Sequence, residues 1–222
     1  MTKIVAFDFD GTLTTRDTLL SFIRYACGVP RFLLGFLLYS PLLVLMKLRL
    51  YPNGEAKQRV FSWFFRGMTI DVFDALCQDF AHTHRHLLRP ETVCLLEQAL
   101  AEGSEVLVVS ASIDNWVKPF FILPHKNQAS GSAALHSKEP VPLVLGTQIE
   151  VIDGRLTGRF LTPNCYGQEK VRRILALHPD RSNYHLTAYG DSRGDRELLA
   201  FADEAHTPFH IKNSIYGKNA DS

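Results

Sequence analysis

The stretch VAFDFDGTLTTRD, residues 5–17, ends an apolar run in two carboxylates, Asp8 and Asp10, separated by one phenylalanine. In a strand, residues two apart point to one side, so both acids would face the same edge. Two carboxylates that close repel, and one keeps its proton unless a cation intervenes. A hard divalent ion with oxygen ligands resolves the conflict, and Mg²⁺ is the common choice. Gly11 and Thr12 follow at once and let backbone amides turn toward an anion. A pair of turn-forming aspartates is the competing account of the same residues.

Three more stretches carry chemistry-bearing residues at the ends of apolar runs. VLVVS delivers a hydroxyl donor, Ser110; capping of the next helix by Ser110 or Ser112 is the alternative. GQEK puts Lys170 in the first turn of a helix. A cation there sits at the positive end of the helix dipole and calls for an anionic partner, unless solvent covers it. YGDSRGD places Asp191 and Asp195 just after another apolar run, where they too could cap a helix.

The elements that must position these residues alternate. Residues 4–7 form a short apolar run fit for a strand buried on both faces. After Pro90 the pattern predicts a helix closed by Gly103, a strand over EVLVVS and a helix opening at SIDNWVKPF. A hairpin follows around Asp153-Gly154 in TQIEVIDGRLTGRF, then a helix from GQEK, a strand in YHLTAYG, a helix in SRGDRELLAFA and a short strand near EAHTPFHI. Such alternation predicts an α/β fold, a Rossmann-like parallel sheet with helices on both faces. Residues 15–87 instead read as helices only, from Asp17 to about Leu50, Glu55 to Arg66 and Ile70 to Leu88, an inserted all-helical cap. The expected division is a catalytic core of residues 1–14 and 88–222 with a cap of 15–87. Leu123 to Leu143 shows little periodicity and reads as a loop, long for a compact domain.

Composition narrows the class. The chain has 222 residues, 46% hydrophobic and 21% charged, with a net charge of +1, which argues against nucleic acid as a partner. The stretch 15–87 holds nine Lys/Arg against five Asp/Glu, a local balance of +4. Four separated cysteines, Cys27, Cys77, Cys94 and Cys165, form no CxxC and suit reduced thiols of a cytoplasmic protein. The early acidic residues in MTKIVAFDFDG do not suit a signal peptide.

Taken together, DFDGTLT, the strand-end Ser110, Lys170 of GQEK and GDSRGD look like the four motifs of the haloacid dehalogenase superfamily. The helical insert after the first motif resembles that of its phosphoserine phosphatase-like subfamily. The likeness covers roughly residues 3–14, 88–122 and 144–210. It implies a phosphatase that cleaves phosphomonoesters through an aspartyl-phosphate, with Mg²⁺ as cofactor. By that resemblance Asp8 is the nucleophile and Asp10 the general acid, then base. Gly11, Thr12, Ser110, Ala111 and Lys170 bind the phosphate. The Asp8 carboxylate, the Asp10 backbone carbonyl and Asp191 hold the metal. Ser192 and Asp195 support, Asp195 through Lys170 or a metal-bound water.

The cap would choose the substrate. FLLGFLLYSPLLVLM, residues 32–46, carries no charge and is flanked by Arg31, Lys47 and Arg49. As a helix it is about 22 Å long, short of a bilayer's roughly 30 Å, and Pro41 interrupts it. It is either part of a helix pair buried in the cap core or a helix lying in a membrane interface through residues 31–49. The second reading suits a lipid phosphate, and bacterial phosphatidylglycerophosphate phosphatases are similar in this respect. It would place the protein in the cytoplasm, peripheral to the inner face of the membrane. A small soluble ester such as phosphoserine is the alternative substrate. A non-catalytic, membrane-associated binding protein on the same scaffold is the alternative of another class, against which the second acid at Asp10 argues. Arg59 and Arg66 could reach a substrate anion or be solvated; His82 and His86 lack a carboxylate or thiol partner and read as solvated; Trp63, Phe64 and Phe65 read as core.

Overall fold

The structure, a computed structural model, describes residues 1–122 and 140–207. Its centre is a five-stranded, all-parallel sheet in the order β3-β2-β1-β6-β7. The strands are β1 (Thr2–Phe7), β2 (Glu105–Ile113), β3 (Leu143–Thr147), β6 (Tyr184–Tyr189) and β7 (Glu204–His206). Between them in the chain run α4 (Pro90–Ala101), α5 (Asp114–Val117), α6 (Gln168–Leu177) and α7 (Arg196–Phe201). Two clusters of buried side chains, built around Phe7 and Val108 and around Ile4, Ala6 and Leu186, show that β1 is buried on both faces. A continuous apolar run is what such a strand requires.

Register aligns the strand ends. Phe7 of β1 pairs with Val108 of β2 and with Tyr189 of β6. Asp8, Ser110 and Asp191 therefore emerge within two residues of one line, at the carboxyl edge where open α/β sheets bind ligands. β3 has no counterpart in the sequence reading, where the loop ends at Leu143 and the hairpin opens at Thr147, so the short run LVLG falls between the two. The rest of that loop, residues 123–139, lies outside the described residues.

Between Thr14 and Leu88 the chain leaves the sheet and returns, and the two ends pair antiparallel. Thr15 N donates to Leu87 O at 2.8 Å and Arg89 N to Leu13 O at 2.8 Å. The excursion holds α1 (Thr18–Lys47), α2 (Asn53–Phe65) and α3 (Ile70–Thr83). Their shared core is aromatic: the Phe22 ring packs on Phe65, Phe73, Phe80 and Trp116 at centroid distances of 4.9–5.6 Å. The hairpin of β4 (Ile149–Ile152) and β5 (Arg155–Phe160) joins this layer. Gly67 N donates to Leu156 O, Leu156 N to Met68 O and Ile70 N to Gly154 O. Gly158, at φ +85°, lets β5 close on α2, since a Cβ there would stand 2.4 Å from Ser62 Oγ.

The helix α1 breaks at Gly28 (φ 76°, ψ 162°), a conformation reserved for glycine. Its second part is not the buried helix that one reading of the sequence allowed. Between Val29 and Lys47 only Gly35 is buried, against Trp63 and Phe64, and most of the apolar side chains face outward.

Phe22→Ala should destabilise the protein by about 3–5 kcal/mol, because the ring is fully buried among four aromatic neighbours. Denaturant unfolding of the variant against the parent measures this; a loss below about 1 kcal/mol would show that the aromatic layer does not hold the helices together.

Candidate active site

Asp8 follows the last residue of β1 and is 5% exposed. Its backbone N–H donates to Tyr189 O at 2.9 Å, which ties it to the neighbouring strand. Its Oδ1 accepts a hydrogen bond from Lys170 Nζ at 2.5 Å. The same ammonium donates to Asp195 Oδ1 at 2.5 Å. Lys170 is 1% exposed, so its charge is met by protein and not by water. Burial alone would strip its proton, yet the charges of Asp8 and Asp195 hold it well above the usual lysine range. Burial pushes Asp8 up to about 7 in spite of Lys170, and the Asp195 and Asp10 charges add to the rise.

Asp191 stands at the open rim. It accepts from Thr12 Oγ1 at 3.3 Å, and desolvation with the Asp195 charge raises its pKa. Gly11, at φ +85°, makes room for it: a Cβ there would lie 2.3 Å from Asp191 Oδ2. Carboxylate oxygens of Asp8, Asp191 and Asp195 lie within 4.8 Å of one another, the only such group of three metal-ligating side chains among the described residues. Three carboxylates around one ammonium leave a charge of −2 when ionised. An all-oxygen donor set with that charge fits a hard divalent cation. His82 and His86 belong to no such group.

The Asp10 carboxylate turns elsewhere. It accepts from the backbone N and the hydroxyl of Thr18, the first residue of α1, at 2.7 Å each, and from Ser112 Oγ at 2.5 Å. Burial and the nearby Asp17 charge raise its pKa. Asp8 and Asp10 thus stay near each other in the chain while their carboxyl groups serve different partners.

Ser110 and Ser112 do not cap α5, whose N-cap is Ile113. Pairing of β2 with β3 lapses between Val109 and Ile113, which releases this stretch from the ladder. Ser110 Oγ accepts from Ser112 N at 3.0 Å, and among the described residues its own proton has no protein acceptor. The Ala111 carbonyl accepts from Thr147 Oγ1 at 3.1 Å. Of the other expected phosphate ligands, Thr12 has its hydroxyl engaged by Asp191, and the Gly11 amide donates to Thr14 Oγ1 at 3.3 Å. Ser192 and Asp195 form a capping box, Ser192 N donating to Asp195 Oδ2 at 3.0 Å, and Ser192 Oγ donates to the same oxygen at 2.7 Å, so Asp195 caps with one oxygen and grips Lys170 with the other.

Sequence reasoning passed over three residues. Ser112 binds Asp10, and its place two residues past Ser110 on one strand was the available signal. Arg89 donates from Nη2 to Gly11 O at 3.1 Å across the neck. Lys57 of α2 lines a small, mostly apolar cavity beside Ser112 with Leu19, Phe61, Trp116 and Phe160. Arg59 instead lies over the Tyr51 ring, and Arg66 is exposed. A larger groove of about 280 Å³, lined by Lys3, Gln98, His185 and Glu204 among others, touches none of the site residues.

A family model for haloacid dehalogenase-like hydrolases matches residues 5–200. The chain is 35% identical over 205 residues to Protein CicA of Caulobacter vibrioides, covering 90% of this chain and 83% of that one. It is similar in fold to a protein of unknown function from Bordetella pertussis Tohama I, with a TM-score of 0.71 at 19% identity over 98% and 97% of the two chains. A phosphoserine phosphatase described as a phospho-aspartyl intermediate analogue superposes with a TM-score of 0.54 at 17% identity, over 96% of this chain and 90% of that one.

With burial pushing the Asp8 carboxyl up to about 7, a divalent ion bound by it would have to displace its proton below that pH. Affinity for a divalent cation held there should fall by up to about tenfold per unit as pH drops below roughly 7, and level off above it. Calorimetric Mg²⁺ titrations at mildly acidic and mildly alkaline pH would test this; affinity that is equal at both would exclude Asp8 as a ligand that loses a proton on binding.

Proposed function

The chain belongs to the haloacid dehalogenase-like hydrolases, and from that premise we propose that it is a Mg²⁺-dependent phosphatase that cleaves a phosphomonoester through an aspartyl-phosphate on Asp8. The observation that carries this reading is the buried Lys170 bridging Asp8 and Asp195, with Asp191 close by, at the carboxyl edge of the sheet.

Each residue then has a task. The Asp8 carboxylate attacks phosphorus and the ester P–O bond breaks. Asp10, whose raised pKa favours the protonated form, gives its proton to the departing alkoxide. In the second step Asp10 takes a proton from water as that water attacks phosphorus. The Asp8–phosphorus bond breaks, inorganic phosphate leaves and both carboxyl groups are restored. Lys170 cancels negative charge on the phosphoryl group, and Ser110 offers its unused proton to a phosphoryl oxygen. Asp195 and Ser192 keep Lys170 in place. Asp8 and Asp191, with the Asp10 carbonyl by resemblance, would hold Mg²⁺, which when bound offsets the repulsion between an anionic ester and an acidic nucleophile. Thr18 and Ser112 fix the Asp10 carboxyl, so the cap helix α1 starts on the proton-transfer group itself.

For the substrate we favour a lipid phosphate drawn from a membrane surface, because the second part of α1 presents an apolar face to solvent. A small soluble ester is the competing reading. The fold shared with phosphoserine phosphatase favours it.

Asp8→Asn should lower turnover of an aryl phosphate at least a thousandfold, about 4 kcal/mol in barrier, with an unchanged circular dichroism spectrum. Asp10→Asn should release a stoichiometric burst of phenol and then stall, since a good leaving group needs no acid while the second step still needs the base. Stopped-flow and acid-quench measurements check both; steady turnover by Asp8→Asn would remove the nucleophile from the proposal. A panel of soluble and lipid phosphate esters, with and without Mg²⁺, separates the two substrate classes.

A further inference from the structure

We infer that the second part of α1, from Val29 to Lys47, together with Leu48–Leu50, docks the protein on the surface of an anionic lipid bilayer, lying in the interface plane. The inference rests on the lipid-phosphate reading for its purpose, while its test is independent of turnover.

The helix is apolar on both sides. Phe32, Gly35, Tyr39 and Leu43, spaced three or four apart, pack inward on the α2 aromatic residues, with Gly35 against Trp63 and Phe64. Leu33, Leu34, Leu37, Leu38, Val44, Leu45 and Leu48 fall on the opposite arc and are exposed, Leu37 at 73%, Leu34 at 60% and Leu38 at 59%. A helix apolar all round belongs in a protein core or in lipid, and this one is not in the core. Contiguous apolar exposure of this kind marks a contact surface.

Three observations choose lipid as the occupant. First, residues 29–50 contain Arg31, Lys47 and Arg49 and no acidic residue, so the strip carries +3. A second copy of the same strip would bring like charges together, whereas anionic headgroups complement them, at about fivefold in binding per cation near the surface. Secondly, Lys47 and Arg49 are exposed at the end of the apolar arc, where their stems can lie along lipid and their heads reach the headgroups. Thirdly, Pro41 lacks the N–H that would bond the Leu37 carbonyl, and Ser40 Oγ donates to that carbonyl at 2.9 Å instead. An apolar solvent demands that every backbone polar group find such a partner. Because the inward face is held by α2 and Arg31 donates to the Phe64 carbonyl at 2.9 Å, the helix can offer lipid only one side, which places it in the interface and not across the bilayer.

Flotation of the full-length protein with vesicles of phosphatidylcholine, alone or doped with phosphatidylglycerol, tests this. The parent should float with the doped vesicles and far less with the neutral ones. A triple variant Leu34→Glu, Leu37→Glu, Leu38→Glu should lose at least about tenfold in bound fraction, and Lys47→Glu with Arg49→Glu should lose the preference for anionic lipid. All should keep aryl-phosphate turnover within about twofold, as none touches the site. Asp8→Asn should float like the parent, so a failure of catalysis and a failure of docking are read separately. Absence of flotation on both vesicles, equal flotation by the triple variant, or a dimer in sedimentation that the triple variant dissolves while vesicles bind nothing, would overturn the inference.

Discussion

A lysine ammonium buried between two carboxylates is the interaction on which the rest of the structure depends. Lys170 meets Asp8 on one side and Asp195 on the other, at 2.5 Å each, with almost no exposure to water. Removing either acid would leave a charge poorly compensated in a poorly polarisable place, which is costly. The three residues come from the end of β1, the start of α6 and the turn before α7, so the ion triad also clamps three separate segments to the sheet edge. With Asp191 added, negative charge exceeds positive, so the cluster as it stands suits a cation.

Sheet register is the second constraint. Parallel pairing of β1 with β2 and β6 carries Asp8, Ser110 and Asp191 to one edge without any of them needing an unusual side-chain reach. The turn after β1 then does two things at once. Gly11 lets Asp191 approach, and the following residues carry the chain through Thr14 into the helical layer, where Thr18 holds Asp10. The two carboxyl groups are thus fixed by different neighbours: Asp8 by the sheet and Lys170, Asp10 by Thr18 at the start of the helical layer and by Ser112.

The helical layer joins two unlike surfaces. Toward the sheet it is an aromatic core around Phe22, stiffened by a hairpin that the chain supplies far downstream. Away from the sheet it shows an apolar strip bordered by cations.

Much of this was legible in the chain alone. The spacing of Asp8 and Asp10, the apolar runs ahead of Ser110 and Asp191, and the alternation after Pro90 determined an α/β sheet with its chemistry at one edge, because strand period and turn residues are local properties. The length and apolarity of residues 32–46 were equally plain. What no local pattern could decide was direction. Whether that helix buries its leucines or exposes them depends on how much aromatic surface α2 offers opposite it; it covers one face only. Whether Lys170 is solvated or locked between Asp8 and Asp195, and whether Asp10 turns to the acid cluster or to Thr18 and Ser112, depends on segments up to 162 residues apart meeting in space. Sequence determined which groups were available; the packing of distant segments decided which group each would face.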